Sequence, residues 1–521
     1  MGALGKSGSV TGTAQSDVLG GYARLNLATT IAGFVFSVVI GLWFTPFLVH
    51  SLGPAAYGLI PLATTVVSYF SLLSQALGAT LMRSISMALA SRDTARANRA
   101  FGIALGGALI LSGLVAVPLA VVAWWAPVLF DSPPGSEAGV QILFGIVALS
   151  FVIALVATPY QTVSFARNRI YLNNIATMVQ TLIRVGGTVA LFYAAATIVN
   201  AGLAILISGV LALLINVAFA RISVPELSSF TLAIDRAELK ALSRTSSHVL
   251  LMQVGTVMAV SSELVIVNRL FGLHEGGRYA AVMQWLLLLR NATIALVVLF
   301  VPTILALAGE RRFADLIAYT KRSMTLVALC VALPTGYLCG LSPLILAVWL
   351  GYDFASLWPV MVVQLAPLAI VSCVVPLYSI TLSMDRVRLA GLVQIGTALT
   401  GIGLGVALGS TGWPALVAAG VGWSMLLKEV VFTPAYAARN IDAPPTTFLP
   451  PLGVAALAFV AAAVLSWGVG ALLHPTTLIG LGLTGVVVTA CYGVGVAVAM
   501  PLVVRQAFAG LRLPGFRKHR L

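Results

Sequence analysis

The stretch His50-Ser-Leu-Gly-Pro-Ala-Ala-Tyr-Gly-Leu-Ile60 interrupts a long apolar run near the start of the chain. Gly53 relieves backbone crowding, and Pro54 is suited to the first turn of a helix. The stretch therefore predicts a structural turn that ends one apolar helix and begins the next. Tyr57 follows directly, and an aromatic ring at this position is suited to the membrane interface.

The composition of the whole chain excludes a water-soluble fold. Of the 521 residues, 60% are hydrophobic and 8% are charged, and the mean hydropathy is +1.04. No soluble fold hides this much apolar surface from water. A membrane-spanning helix needs about 20 apolar residues, and the charged and Pro/Gly-rich breaks divide the sequence into about 14 such segments. The sequence predicts an all-α polytopic membrane protein with about 14 transmembrane helices.

The basic residues are distributed unevenly between the two sides of the predicted membrane. The chain has 29 Lys and Arg residues against 15 Asp and Glu, a formal net charge of +14. With the N-terminus inside, 24 of the 29 lie in inner loops or tails, whereas Arg269 and Arg278 alone lie in outer loops. The positive-inside rule then places both termini in the cytoplasm. The excess charge reports topology and attraction to anionic membrane lipids, so we predict no nucleic-acid partner.

The turn recurs later in the chain as part of an internal repeat. Residues 50–57 correspond to residues 269–279, with three extra residues in the second copy. Farther on, "TPYQTVSFARNR" (158–169) corresponds to "VPLYSITLSMDRVR" (375–388). Because each copy holds an even number of predicted helices, the copies enter the membrane in the same direction. The sequence thus predicts two six-helix lobes related by a pseudo-two-fold axis along the membrane normal, an architecture of transporters that alternate access to a central site.

Two more helices follow the repeat and complete the predicted organisation. The predicted parts are a cytoplasmic N-terminal tail (1–24), an N-lobe with helices 1 to 6 (25–221), a cytoplasmic linker (222–247), a C-lobe with helices 7 to 12 (248–437), helices 13 and 14 (438–504) and a basic cytoplasmic tail (505–521).

Residues 44–86, "FTPFLVHSLGPAAYGLIPLATTVVSYFSLLSQALGATLMRSIS", resemble the opening of a known transporter family. They are similar to the polysaccharide-transporter (Wzx-type) branch of the multidrug/oligosaccharidyl-lipid/polysaccharide (MOP) flippase superfamily. Its members show a P-x-x-x-x-x-L-G-x-x-x-Y-G turn between helices 1 and 2. The likeness is good over residues 25–105, weaker over 245–325, and elsewhere only architectural.

This resemblance implies a flippase in the bacterial plasma (inner) membrane rather than an enzyme. Its substrate would be a polyprenyl-pyrophosphate-linked oligosaccharide, moved from the inner to the outer leaflet for the synthesis of exopolysaccharide, capsule or O-antigen. A polysaccharide polymerase and co-polymerase would be partners, and no cofactor, metal or catalytic residue is expected.

Five charged residues fall inside predicted helices, where each costs at least ~2.5–3.5 kcal/mol on insertion scales. Glu263 and Arg290 lie on adjacent antiparallel helices and are expected to be able to pair. The pair is either a purely structural bridge or a site at which the Arg290 guanidinium receives pyrophosphate, since Arg binds phosphate in a bidentate manner. Lys428, beside Glu429, is placed to extend its ammonium towards the inner surface. Arg184 has no acidic neighbour in its own lobe.

The resemblance also places helices 1, 2, 7 and 8 around a central cavity. That would put a set of cations on or near the substrate, with Arg184 as a further candidate and Glu263 as a group for ion coupling or charge pairing. The members of this set are Arg24, Arg83, Arg269, Arg278 and Arg290.

Three other functions remain open. A cation-coupled multidrug exporter of the same superfamily commonly uses a membrane-embedded acid in its first lobe, but the five acids before residue 230 all lie in tails or loops. A lipid II flippase is related in substrate, but its G-F-x-R-D stretch is absent near helix 1. A membrane glycosyltransferase or polysaccharide polymerase needs carboxylates on a large outer loop, and the most acidic outer loop here is the short "FDSPPGSEAG" (130–139).

Overall fold

The computed structural model describes residues 10–90, 94–132, 135–224, 236–384 and 386–499. Within these ranges, the side chains of 10–21, 23–24, 73–90, 94, 96 and 236–252 are not part of the description. The predicted N-terminal tail, the linker and the basic C-terminal tail lie wholly or partly outside the described residues. The described chain is helical and contains no strand.

The chain divides into two compact units, Met1–Val254 with Gly272–His274, and Gly255–Phe271 with Glu275–Leu521. Unit 1 contains six long helices: α1 Val10–Leu52, α2 Pro54–Ala90, α3 Thr94–Leu129, α4 Glu137–Ala166, α5 Ile170–Ala194 and α6 Ile198–Ser223. α4 packs against α3, α6 and α2. Buried small and apolar side chains of Ala104, Val163 and Ala220 fill part of this core. Small residues allow membrane helices to approach closely.

Unit 2 contains most of α7 and all later helices. α7 spans Arg236–Val297 and is followed by α8 Val301–Gly309, α9 Phe313–Gly340, α10 Ser342–Leu350, a 3₁₀ turn Tyr352–Leu357, α11 Trp358–Val374, α12 Leu377–Ser383, α13 Val387–Gly409, α14 Pro414–Leu427, a π-helical segment Lys428–Phe432, α15 Thr433–Arg439, α16 Pro450–Leu473 and α17 Leu478–Ala499.

The number of spanning helices agrees with the sequence prediction. Within the described residues, 13 helical segments are long and apolar enough to cross a membrane. One of them, Gln253–Val297, has 45 residues, about twice the length that a single crossing needs. It consists of two arms of α7 that meet at Gly272, where the backbone leaves the helical conformation. The prediction of an all-α membrane protein with about 14 transmembrane helices is confirmed.

The two copies of the repeated turn share an unusual backbone conformation. Gly53 and Gly272 both have φ of 79°, and Gly272 combines this with ψ of 174°, a region that is essentially restricted to glycine. Tyr57 and Tyr279, which follow these turns, are 5% and 0% exposed. The Tyr57 ring is packed inside unit 1 and not on its surface.

Candidate functional site

A cluster of polar side chains is buried in the interior of unit 2. Glu263 lies on the first arm of α7 and is 6% exposed. Its Oε2 atom accepts a hydrogen bond from the Tyr279 hydroxyl (2.9 Å) on the second arm and another from Gln364 Nε2 (3.3 Å) on α11. Two donors thus satisfy a carboxylate that would otherwise be costly to hold within a membrane protein.

Arg290, on the second arm of α7, lies half-buried near this carboxylate. Its guanidinium interacts electrostatically with Glu263, Tyr378 and Glu429. Among the described residues, however, its side chain forms no hydrogen bond and no ion pair. Arg290 is therefore a cation in the spanning region, and the polar groups around it do not accept hydrogen bonds from its guanidinium.

Glu263 and Arg290, which were expected to be able to pair, interact electrostatically but form no direct ion pair among the described residues. The second arm of α7 is helical from the residue after Gly272. At 1.5 Å per residue, Glu263 lies about 13 Å and Arg290 about 27 Å along their arms from Gly272. The two backbone positions are therefore not level along the arms, and the two charges interact without direct contact.

A second buried polar group is centred on Lys428 and Glu429. The Lys428 Nζ atom lies 2.6 Å from Glu429 Oε1, and their side chains are 4% and 3% exposed. Lys428 also donates to the Tyr378 hydroxyl on α12 (2.7 Å) and to Gln394 Oε1 on α13. The Tyr378 hydroxyl in turn donates to Glu429 Oε1. The expectation that Lys428 extends to the inner surface is wrong, because its ammonium finds three oxygen acceptors inside unit 2.

The remaining predicted site cations lie outside this polar interior or outside the described side chains. Arg278 pairs with Glu275 (2.8 Å), and its NH2 atom donates to the Asp353 carbonyl (2.6 Å) and to Ser356 Oγ (2.9 Å). These contacts hold the start of the second arm against the 3₁₀ turn. Arg269 is exposed, and it also has an interaction partner.

In unit 1, Arg184 lies in the middle of α5 with an exposed side chain. The described part of the chain provides no hydrogen bond or ion pair for its guanidinium. The side chains of Arg24 and Arg83 lie outside those described. The structure thus brings Arg290 close to Glu263 and does not bring Arg278 or Arg269 into the same polar cluster.

Four residues of the two clusters were not singled out from the sequence: Tyr279 as a ligand of Glu263, and Gln364, Tyr378 and Gln394. A signal for the two glutamines was present, since each interrupts an apolar stretch, "MVVQLAP" and "GLVQIG". A polar side chain within a spanning segment is expensive unless it has a partner. Among the described residues, no group of three or more His, Cys, Asp and Glu side chains is placed to hold a metal ion.

The fold is similar to those of two solved transport proteins. The chain is similar to an inward-facing multidrug resistance MATE family transporter of the MOP superfamily, with a TM-score of 0.66 and 13% identity, over 81% of this chain and 98% of that one. It is also similar to the lipid II flippase MurJ in an inward closed conformation, with a TM-score of 0.62 and 13% identity, over 91% of this chain and 98% of that one. Both are transport proteins.

A curated relative with a similar sequence comes from Bacillus subtilis (strain 168). This protein, called uncharacterized membrane protein EpsK, is 27% identical over 502 residues, which is 95% of this chain and 98% of the relative. No protein-family model matches the chain. The chain is a multi-pass membrane protein that shares its fold with these solved transporters.

Proposed function

We propose that the protein is a flippase that moves a polyprenyl-pyrophosphate-linked oligosaccharide from the inner to the outer leaflet of the bacterial plasma membrane. The observation that carries the proposal is the half-buried Arg290 guanidinium, which lies in the spanning region of a transporter fold without a hydrogen-bonded acidic partner. The fold shared with a lipid II flippase and the sequence likeness to EpsK support it.

The chemistry of Arg290 is suited to a pyrophosphate. A guanidinium presents a planar set of N–H donors that bind two phosphate oxygens at once, and the attraction is strong where water is scarce. The two nearby carboxylates do not compete for these donors, because Glu263 is bound by Tyr279 and Gln364, and Glu429 is bound by Lys428 and Tyr378. Arg290 thus remains available to an incoming anion.

Transport would follow alternating access, in which one six-helix lobe rocks against the other. The polar head of the substrate would cross the protein while the polyprenyl chain remains in lipid. Arg24, Arg83, Arg184 and Arg269 are further candidates for contact with the anionic head, and a polysaccharide polymerase and co-polymerase are the proposed partners downstream. Both termini are proposed to be cytoplasmic.

Replacement of Arg290 tests the proposal in a strain whose own copy of the gene is deleted. Deletion should abolish a surface polysaccharide, and wild-type protein should restore it. Arg290→Ala should not restore it although the protein is present at normal levels, and Arg290→Lys should restore it in part, because an ammonium replaces the planar fork. Arg312→Ala is the matched control, since Arg312 is an exposed arginine with acidic neighbours whose loss should leave transport unchanged.

A double variant separates substrate binding from charge balance. If Arg290 serves only to compensate Glu263, then Glu263→Gln combined with Arg290→Gln restores both protein level and transport. That recovery would remove Arg290 from the substrate site. Persistent loss of polysaccharide with normal protein levels is the result that the proposal requires.

A cation-coupled multidrug exporter is the second candidate, because the fold is similar to a MATE transporter and Glu263 is a buried carboxylate. The two functions differ in the phenotype of the deletion strain. A flippase gives loss of polysaccharide with unchanged drug sensitivity. Broad drug hypersensitivity with normal polysaccharide would establish the exporter instead.

A further inference from the structure

The ammonium of Lys428 lies in a cage of three oxygen atoms from three different helical segments. These are Glu429 Oε1 (2.6 Å), the Tyr378 hydroxyl (2.7 Å) and Gln394 Oε1. A lysine ammonium has three N–H donors and no acceptor; it donates to the Tyr378 and Gln394 oxygens and forms an ion pair with Glu429. The Tyr378 ring lies beside the ammonium as well, with 5.2 Å between Nζ and the ring centroid.

The same atoms form the kind of coordination shell that a hard inorganic cation takes in proteins. Such cations prefer carboxylate, amide and hydroxyl oxygens. The second oxygen of the same carboxylate, Glu429 Oε2, is buried and has no hydrogen-bond partner among the described residues. The shell therefore holds a cation already, but this cation is covalently attached to the chain.

The local backbone brings this shell together at a specific point. Neighbouring residues on an α-helix do not normally face each other, yet Lys428 and Glu429 form an ion pair. They are the first two residues of the π-helical segment that separates α14 from α15. Single π turns within α-helices occur frequently at functional sites.

We propose that Lys428 is the resident cation of a buried monovalent-cation site formed by Glu429, Tyr378 and Gln394, which makes this part of the protein independent of dissolved Na⁺ or K⁺. Because Lys428 compensates Glu429 directly, Glu429 needs no bound ion and does not draw the Arg290 guanidinium into an ion pair. This proposed cation site is separate from the proposed transport activity, and it is tested by measuring protein stability rather than flipping.

Truncation of Lys428 should turn the shell into a site for a dissolved ion. The stem of Lys428 lines an open groove of about 830 Å³ along α13 and α14, which is mostly apolar and also contains the hydroxyl groups of Thr397, Thr400 and Ser424. Removal of the stem leaves space beside the shell. Lys428→Ala is therefore expected to leave three oxygen ligands and a net negative charge that a small cation compensates.

The test is the thermal unfolding midpoint of the purified full-length protein in nanodiscs, measured in NaCl, KCl and choline chloride at equal ionic strength. Wild type should give the same midpoint in all three salts. Lys428→Ala should unfold several degrees lower in choline chloride, and Na⁺ or K⁺ should restore part of the loss in a saturable manner. Lys428→Ser, which also removes the stem and the charge, takes its place if Lys428→Ala does not accumulate.

Two control variants make the result specific to the shell. Lys428→Met fills the same space without a charge, so it should be destabilised without rescue by ions. Glu429→Gln combined with Lys428→Ala should show no ion response, because the carboxylate is gone. The proposal is overturned if Lys428→Ala responds to Na⁺ and K⁺ no more than to choline. It is also overturned if wild type is stabilised by Na⁺ or K⁺ and Glu429→Gln removes that stabilisation.

Discussion

The hydrogen bond between Tyr279 and Glu263 provides a direct test of how the buried carboxylate is held. Tyr279→Phe removes only the hydroxyl, and the ring continues to fill a fully buried position. Glu263 then keeps a single donor, Gln364 Nε2 at 3.3 Å, which is longer than the lost contact at 2.9 Å. A hydrogen bond to a charged group is worth about 1.5–3 kcal/mol, so we expect a loss of stability in this range.

The first copy of the repeat provides the matched control. Tyr57 is also buried, and its hydroxyl interacts with Thr45, a neutral side chain. Tyr57→Phe should therefore cost about 0.5–1.5 kcal/mol, the usual value for a neutral pair. Thermal unfolding of the two purified variants should show a shift about twice as large for Tyr279→Phe.

A double-mutant cycle identifies the source of the difference. In a Glu263→Gln background the partner of Tyr279 is neutral, so the cost of Tyr279→Phe should fall to that of Tyr57→Phe. An undiminished cost in this background would show that the Tyr279 hydroxyl stabilises the protein without the Glu263 charge. Equal shifts for the two tyrosines in otherwise wild-type protein would refute the reasoning in the same way.

Two further predictions concern the turns and the topology. Gly272→Ala should lower the unfolding midpoint by an amount equivalent to about 1–3 kcal/mol. The loss would come from backbone strain alone, because an added Cβ at Gly272 meets no atom within 4 Å. Gly309 has equally open space but no positive φ, so Gly309→Ala should be neutral or slightly stabilising in the same measurement. Cysteines introduced at Ser132 and Ser410 should react with an impermeant thiol reagent added to intact cells, and a cysteine at Ser91 should not. Reaction at Ser91 would reverse the predicted orientation.

The sequence contains enough information to predict the helices and the two turns. Long apolar runs must become helices in a membrane, because each backbone polar group has to be satisfied within its own segment. The turns at Gly53 and Gly272 could be predicted because a Leu-Gly-Pro or Leu-Phe-Gly break inside a long apolar run is typical of a turn between two helices. The same logic did not determine where the second arm of α7 begins, because residues 273–278 contain the polar and glycine residues typical of a loop.

The helical residues 273–278 determine where Arg290 lies relative to Glu263. Six extra helical residues move Arg290 by about 9 Å along its arm, and its guanidinium interacts with Glu263 electrostatically rather than in a direct ion pair. The position of Lys428 was missed for a different reason. Snorkelling is the default for a lysine near a helix end, and no local pattern indicates that Tyr378 and Gln394, 50 and 34 residues earlier, supply acceptors.

The two copies of the repeat contain the same kind of turn but differ in charge. This difference indicates which copy carries the functional residues. In each copy the hydroxyl of a tyrosine after the turn interacts with a polar residue before it: Tyr57 with Thr45 in the first and Tyr279 with Glu263 in the second. A neutral partner is sufficient for the structural role, as the first copy demonstrates. The carboxylate of the second copy adds the free-energy cost of a buried charge, and the turn itself does not need this charge. That cost is explained if the second copy must hold Arg290 as a compensated yet accessible cation, which is what binding of an anionic substrate demands.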